Sequence, residues 1–140
     1  MDIYLGYRNE LASGLSYDFG YTRYIYPNAG GDCCGELTAS LGVPIGDKLS
    51  TSLDLAYDPD ASLGNAYLGV AYQATDTFGL SANYGVYKVA DAPSEQEWVF
   101  GVTYSLSDEA AVDLRYYDGS EYVDSYIGLS VTFDTTIFEP

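Results

Sequence analysis

Histidine is absent from the 140 residues. That removes the commonest general base and metal ligand. Ser-His-Asp and Cys-His nucleophilic arrangements are excluded with it. Basic residues are scarce, five Lys and Arg against 21 Asp and Glu, for a formal charge of −16. So acidic a chain repels phosphates, which excludes nucleic acid as a partner. The only two cysteines are adjacent, Cys33-Cys34. Without histidine they make a poor metal site. They read as two small loop residues or, in an oxidising compartment, as a strained vicinal disulfide. No run approaches the ~20 apolar residues of a transmembrane helix. That excludes a helical span but not a membrane barrel, whose strands need only ~9–11 alternating residues.

Other chemistry is equally thin. Gly30-Gly31 and Cys34-Gly35 lack the strand-to-helix setting of a phosphate loop. Asp58/Asp60 and Asp108/Glu109 fall in turns and read as solvated pairs. The segment Asp58-Pro-Asp-Ala-Ser62 carries oxygen ligands for weak Ca²⁺ binding but lacks the spacing of an EF-hand loop. We expect no enzyme, no cofactor and no metal centre.

What the chain has in abundance is Tyr (16) and Gly (15), arranged in a period-two alternation that returns about nine times. In Leu15 to Thr22, Leu15, Tyr17, Phe19 and Tyr21 take one parity, and Ser16, Asp18, Gly20 and Thr22 the other. Successive side chains of a strand point to opposite faces. The pattern predicts strands over 2–8, 15–26, 35–43, 49–57, 65–74, 78–88, 97–106, 111–117 and 123–133. Connections at 10–14, 44–48, 75–77 and 107–110 are short; those at 27–34, 58–64, 89–96 and 118–122 are longer. Short and long alternate throughout, as in a meander with tight turns at one end. Gly14-Leu-Ser-Tyr-Asp-Phe-Gly-Tyr21 also resembles Gly79-Leu-Ser-Ala-Asn-Tyr-Gly-Val86, as expected of hairpin-built architecture. The whole of 1–140 reads as one all-β domain, an antiparallel up-and-down meander β-barrel.

Sorting by parity gives one set of apolar and aromatic positions, from Ile3 to Phe133, among which no charge falls. Aliphatic residues hold the middle of most runs, and aromatics sit at the ends. Tyr7, Tyr72, Phe78, Tyr104 and Phe133 fall toward the short-turn rim; Tyr57, Trp98, Phe100 and Tyr116 fall toward the other. Two aromatic girdles around an aliphatic band suit the two interfaces of a membrane. The opposite face carries Asp18, Glu36, Asp54, Asn83, Glu97, Asp113, Arg115 and Asp124 among Ser, Thr and Gly. Tyr24, Tyr26, Tyr67, Tyr87 and Tyr117 share it, where they stack on sugars or narrow a lumen. A small soluble barrel would have to pack the entire apolar set inside an interior only just wide enough for side chains. Lipid removes that overfilling.

At Tyr21-Thr-Arg-Tyr-Ile-Tyr-Pro27, followed by Gly35-Glu-Leu-Thr-Ala-Ser-Leu-Gly42, the chain resembles the proteobacterial TorF-type family of porin-like outer-membrane proteins. The strand Asp2 to Tyr7, the Tyr-x-Tyr-Pro corner at Tyr24 to Pro27 and the Phe-rich last strand carry the likeness, which covers nearly the whole chain. The resemblance implies an outer-membrane barrel and a pore, with no catalytic residue to carry over. Family members have a signal peptide and further N-terminal strands. Met1 here leads straight into a strand, so the expectation is a chain that lacks both. Nine strands begin and end in the same direction. Single-chain bacterial barrels usually have even strand numbers, so ten or twelve strands are expected in the complete barrel.

The function this predicts is passive diffusion of small solutes across the outer membrane of a Gram-negative bacterium, with preference for cations from an acidic lumen. Asp113 and Arg115, two apart on one face, are equally readable as a structural ion pair. The expected partners are the lipid bilayer and small solutes or cations. Lys88 and Arg23 are placed to meet lipopolysaccharide, or to stand as rim charges in solvent. Two other readings stay open: a secreted soluble barrel holding a small apolar ligand, and a closed structural barrel with recognition loops. The sequence sets no oligomeric state.

Overall fold

A computed structural model of the chain describes residues 1–26, 31–121 and 123–134, with residues 32 and 33 described by backbone alone. Nine strands make up most of it: β1 (Asp2–Glu10), β2 (Ser16–Tyr26), β3 (Gly31–Ile45), β4 (Leu49–Asp58), β5 (Leu63–Gln73), β6 (Phe78–Tyr87), β7 (Glu95–Ser105), β8 (Ala110–Gly119) and β9 (Tyr126–Phe133). They form a single sheet in chain order, and each strand is antiparallel to the next. No helix occurs among the described residues. The all-β meander read from the alternation is therefore the fold.

Register keeps the two faces apart from end to end. Tyr7 faces Phe19, Phe19 faces Ala39 and Ala39 faces Leu55 on one side. On the other, Arg8 faces Asp18, Asp18 faces Ser40 and Ser40 faces Asp54. A slip of one residue would exchange the faces, so the alternation itself fixes the pairing. The hairpin turns follow local chemistry. Between β3 and β4 the three-residue turn opens on Gly46 at φ 66°. That left-handed conformation is open to glycine without steric cost.

The structure corrects the sequence reading in three places. β3 begins at Gly31, so Cys33 and Cys34 lie in a strand and not in a loop. Pairing of Tyr24 with Cys34 and of Ile25 with Asp32 skips Cys33, a bulge that lets the strand continue. Residues 27–30 lie outside the described residues. Second, β9 starts at Tyr126, which leaves Asp124 in the connection before it; Leu106 likewise lies in the turn after β7. Third, the strict alternation of short and long connections dissolves. The β4–β5 connection, 59–62, is no longer than the β7–β8 turn, 106–109, because strands at that end extend further than their alternation shows. Among the described connections, 88–94 and 120–125 remain long.

No barrel seam is present among the described residues. β1 pairs with β2 alone and β9 with β8 alone, and the two edge strands run the same way. The apolar side chains are not gathered into a core. None of the described hydrophobic residues is buried, and Leu5, Leu129 and Ile127 are 77, 71 and 70% exposed. The accessible surface is 9951 Å², where a compact monomer of this mass would show about 7,100 Å². The excess is one whole face of apolar sheet left uncovered.

Candidate functional site: the polar face

Asp18, Glu36, Asp54, Asn83, Glu97, Asp113 and Arg115 all lie in strands and share the polar face. Asp124, exposed in the β8–β9 connection, is outside the sheet. The nine aromatics assigned to the girdles all lie on the opposite, apolar face. Tyr7, Tyr57, Tyr72, Phe100, Tyr104, Tyr116 and Phe133 are exposed, and Phe78 and Trp98 half-buried.

Register arranges the acidic groups in a way that sequence does not show. Arg8, Asp18, Ser40, Asp54, Tyr67, Gly85 and Glu97 follow one another as direct cross-strand partners from β1 to β7. This row starts near the turn end of β1 and finishes near the opposite end of β7. Asp18, Asp54 and Glu97 therefore lie on a diagonal track across the sheet, with Glu36 and Asp113 off it.

Two charges of opposite sign interrupt the acidity. Arg8 Nε lies 3.0 Å from Asp18 Oδ2, and the Tyr4 hydroxyl donates to Asp18 Oδ1 at 3.1 Å. Arg115 grips Asp113 in a fork, Nε to Oδ1 at 2.6 Å and the second guanidinium nitrogen to Oδ2 at 3.1 Å. The Thr103 hydroxyl donates to the same carboxylate at 2.7 Å. Bidentate charge-assisted bonds of this kind are the stronger class, so the 113/115 pair is an ion pair held by geometry. Among the described residues, no ion pair engages Glu36, Asp54 or Glu97.

Glycines let long side chains lie flat on this face. The Tyr67 ring rests on Gly85, where an added methyl would overlap it. Arg115 crosses Gly101 toward Ser81; a methyl there would sit 3.1 Å from a guanidinium nitrogen and 2.5 Å from Ser81 Oγ. Tyr4 lies over Gly6 and Gly20 in the same manner. Tyr117 stacks on Tyr126 with centroids 4.4 Å apart and planes 9° from parallel. Each strap covers wall, where an upright side chain would project away from the sheet.

Sequence reasoning missed Glu95, read there as loop. It opens β7, is 5% exposed and accepts a hydrogen bond from the Ser120 hydroxyl. Ser120 also accepts from the Gln96 amide at 2.9 Å, which ties the β8–β9 connection to β7. At the rim, Arg23 meets Asp60 at 2.8 Å, so one of the two cations expected to face lipopolysaccharide is engaged with a neighbouring loop. Lys88 donates to the Ser62 carbonyl at 3.5 Å. Asp58 Oδ1 accepts from the amides of Asp60 and Ala61, using the proposed calcium carboxylate to shape its own turn. Cys34 is disulfide-bonded; the side chain of Cys33 lies outside the described residues.

Residues 1–138 match the family described as "Bacterial protein of unknown function (Gcw_chp)". No curated protein and no solved structure matches the chain. With 138 of its 140 residues covered, the chain belongs to that family.

Proposed function

We propose that this member of the Gcw_chp family is an outer-membrane β-barrel pore for small solutes, with a preference for cations. The observation that carries the reading is the uncovered apolar face, bordered by aromatics and carrying charge only toward the strand ends, at Arg23 and Asp118, on a sheet with no buried hydrophobic core among the described residues. In water such a face is an aggregation hazard. Against lipid it is the outer surface of a barrel. Seven of the nine strands have 9–11 residues, the length that spans a bilayer at a barrel's tilt. The resemblance to TorF-type outer-membrane proteins points the same way.

Lipid does not tolerate unpaired strand edges. Since β1 and β9 run in parallel, the barrel closes either by pairing them with each other or by placing further strands between them. Cation preference rests on Glu36, Asp54 and Glu97, because Asp18 and Asp113 are matched by Arg8 and Arg115. The straps over Gly85 and Gly101 support an open lumen, since flat side chains leave its width free.

The test is single-channel recording in planar bilayers under a KCl gradient. The expected result is discrete steps whose reversal potential reports cation preference, and joint neutralisation of Glu36, Asp54 and Glu97 to Gln, Asn and Gln reduces that preference. A heat-modifiable, folded protein that never conducts would overturn the pore.

A further inference from the structure

On the polar face, near the ends of β4 to β7, lies a hollow of about 380 Å³. Glu36, Asn65, Tyr67, Tyr87, Lys88 and Glu97 line it. This size is at the small end of ligand pockets. Its floor is unusual for a polar surface. The Tyr67 ring packs over Gly85, where an added methyl would overlap Cδ1 and Cε1, and it lines the hollow. Glu97, two strands from Tyr67, also lines the hollow, and Tyr87 is the cross-strand partner of Asn65.

We infer that this hollow binds a neutral, polyhydroxylated ring, a sugar unit, as the pore's solute; as a route of passage this rests on the pore reading. The face of an aromatic ring carries partial negative charge and attracts the weakly positive C–H face of a sugar. The rim supplies the complementary hydrogen bonds. Glu36 and Glu97 accept, Lys88 donates, and Asn65 and the Tyr87 hydroxyl do both. A hydroxyl needs that mixture because it is donor and acceptor at once. Three carboxylates, Glu36, Asp58 and Glu97, repel an anion, and the choline arm of the test below decides against an organic cation. An apolar ligand would leave the rim groups desolvated without partners.

The site also lies on the diagonal track. Tyr67 sits between Asp54 and Glu97 in the row of cross-strand partners. A solute moving along that row meets a stacking face with hydrogen-bonding carboxylates on both sides.

The experiment combines two readouts on the full protein. Maltose is titrated against single-channel current, and binding of radiolabelled maltose to the detergent-solubilised protein is measured in parallel. The expected result is saturable binding and current block. Tyr67→Ala weakens both about 2- to 10-fold, the range for loss of one aromatic stacking partner. Tyr67→Phe, which keeps the ring, stays within about 2-fold of the parent. Heat-modifiable gel mobility confirms that each variant is folded. Conducting pores that neither bind nor are blocked by maltose overturn the sugar site and leave the pore intact. Binding without conductance overturns the pore and leaves the site. Block by choline with none by maltose overturns the sugar assignment in favour of an organic cation.

Discussion

Leu68 and Leu106 offer a direct measurement of what the apolar face meets. Their exposures are nearly equal, 60% and 59%. Their positions are not. Leu68 is the middle residue of β5, five residues from Leu63 and five from Gln73. Leu106 lies in the turn that follows β7. At a rise of about 3.3 Å per residue and a tilt of about 40°, Leu68 sits roughly 12 Å from either strand end, the midplane of an apolar band about 25 Å tall. Arginine at that depth costs about 2–4 kcal/mol, and near an interface about 0–1. If the face met water, both substitutions would stay within about 0.5 kcal/mol of the parent. Leu68→Arg and Leu106→Arg are therefore compared by denaturant titration of the protein refolded into phosphatidylcholine vesicles, followed by Trp98 emission and gel mobility. The expected difference between the variants is about 1–4 kcal/mol, with Leu68→Arg the weaker. Equal stabilities would refute the membrane reading of this face, whatever their absolute value.

Three further outcomes follow from the polar face and the cysteines. Gly101→Ala forces Arg115 off the wall, and Gly85→Val does the same to Tyr67; single-channel conductance falls in both, with little change in strand content by circular dichroism. Arg115→Ala leaves Asp113 with Thr103 as its remaining hydrogen-bond partner. It costs roughly 1.5–3 kcal/mol in the refolding titration and shifts the reversal potential toward stronger cation preference. Cys34 resists iodoacetamide until the protein is reduced, and intact-mass spectrometry before and after reductant reads this directly.

The sequence carried the strands and their faces because period two is a strong local signal, broken mainly toward strand ends, as at Arg23 and Asp118. Tyr7, Leu68 and Leu129 could be assigned to the apolar face from parity alone. Strand ends were less legible. Where β2 and β3 run on past Leu37, the partner of Tyr57, their pairing depends on a bulge at Cys33 that no residue announces. The site was legible as a set of residues and not as an arrangement. Asp54, Tyr67, Gly85 and Glu97 are recognisable singly as polar-face positions, but their alignment arises from three separate registers. The ion pair at Asp113 and Arg115 could be read, since i and i+2 on one strand share a face. Glu95 could not, because its partner Ser120 is 25 residues away in a connection.

The chain-order sheet has a kinetic consequence. Every strand finds its partner in the one made just before it, so loop closure costs are those of hairpins. Such a sheet can assemble as a zipper, each new hairpin templated on the last and released from water as its apolar face meets lipid. If the sheet closes by pairing β1 with β9, as the barrel reading allows, the step with a large entropic cost is that seam, which must bring together strands more than a hundred residues apart. Folding into a bilayer should then show a fast, additive phase and one slow concerted event. Mutations at β1 and β9 would slow the second and leave the first untouched.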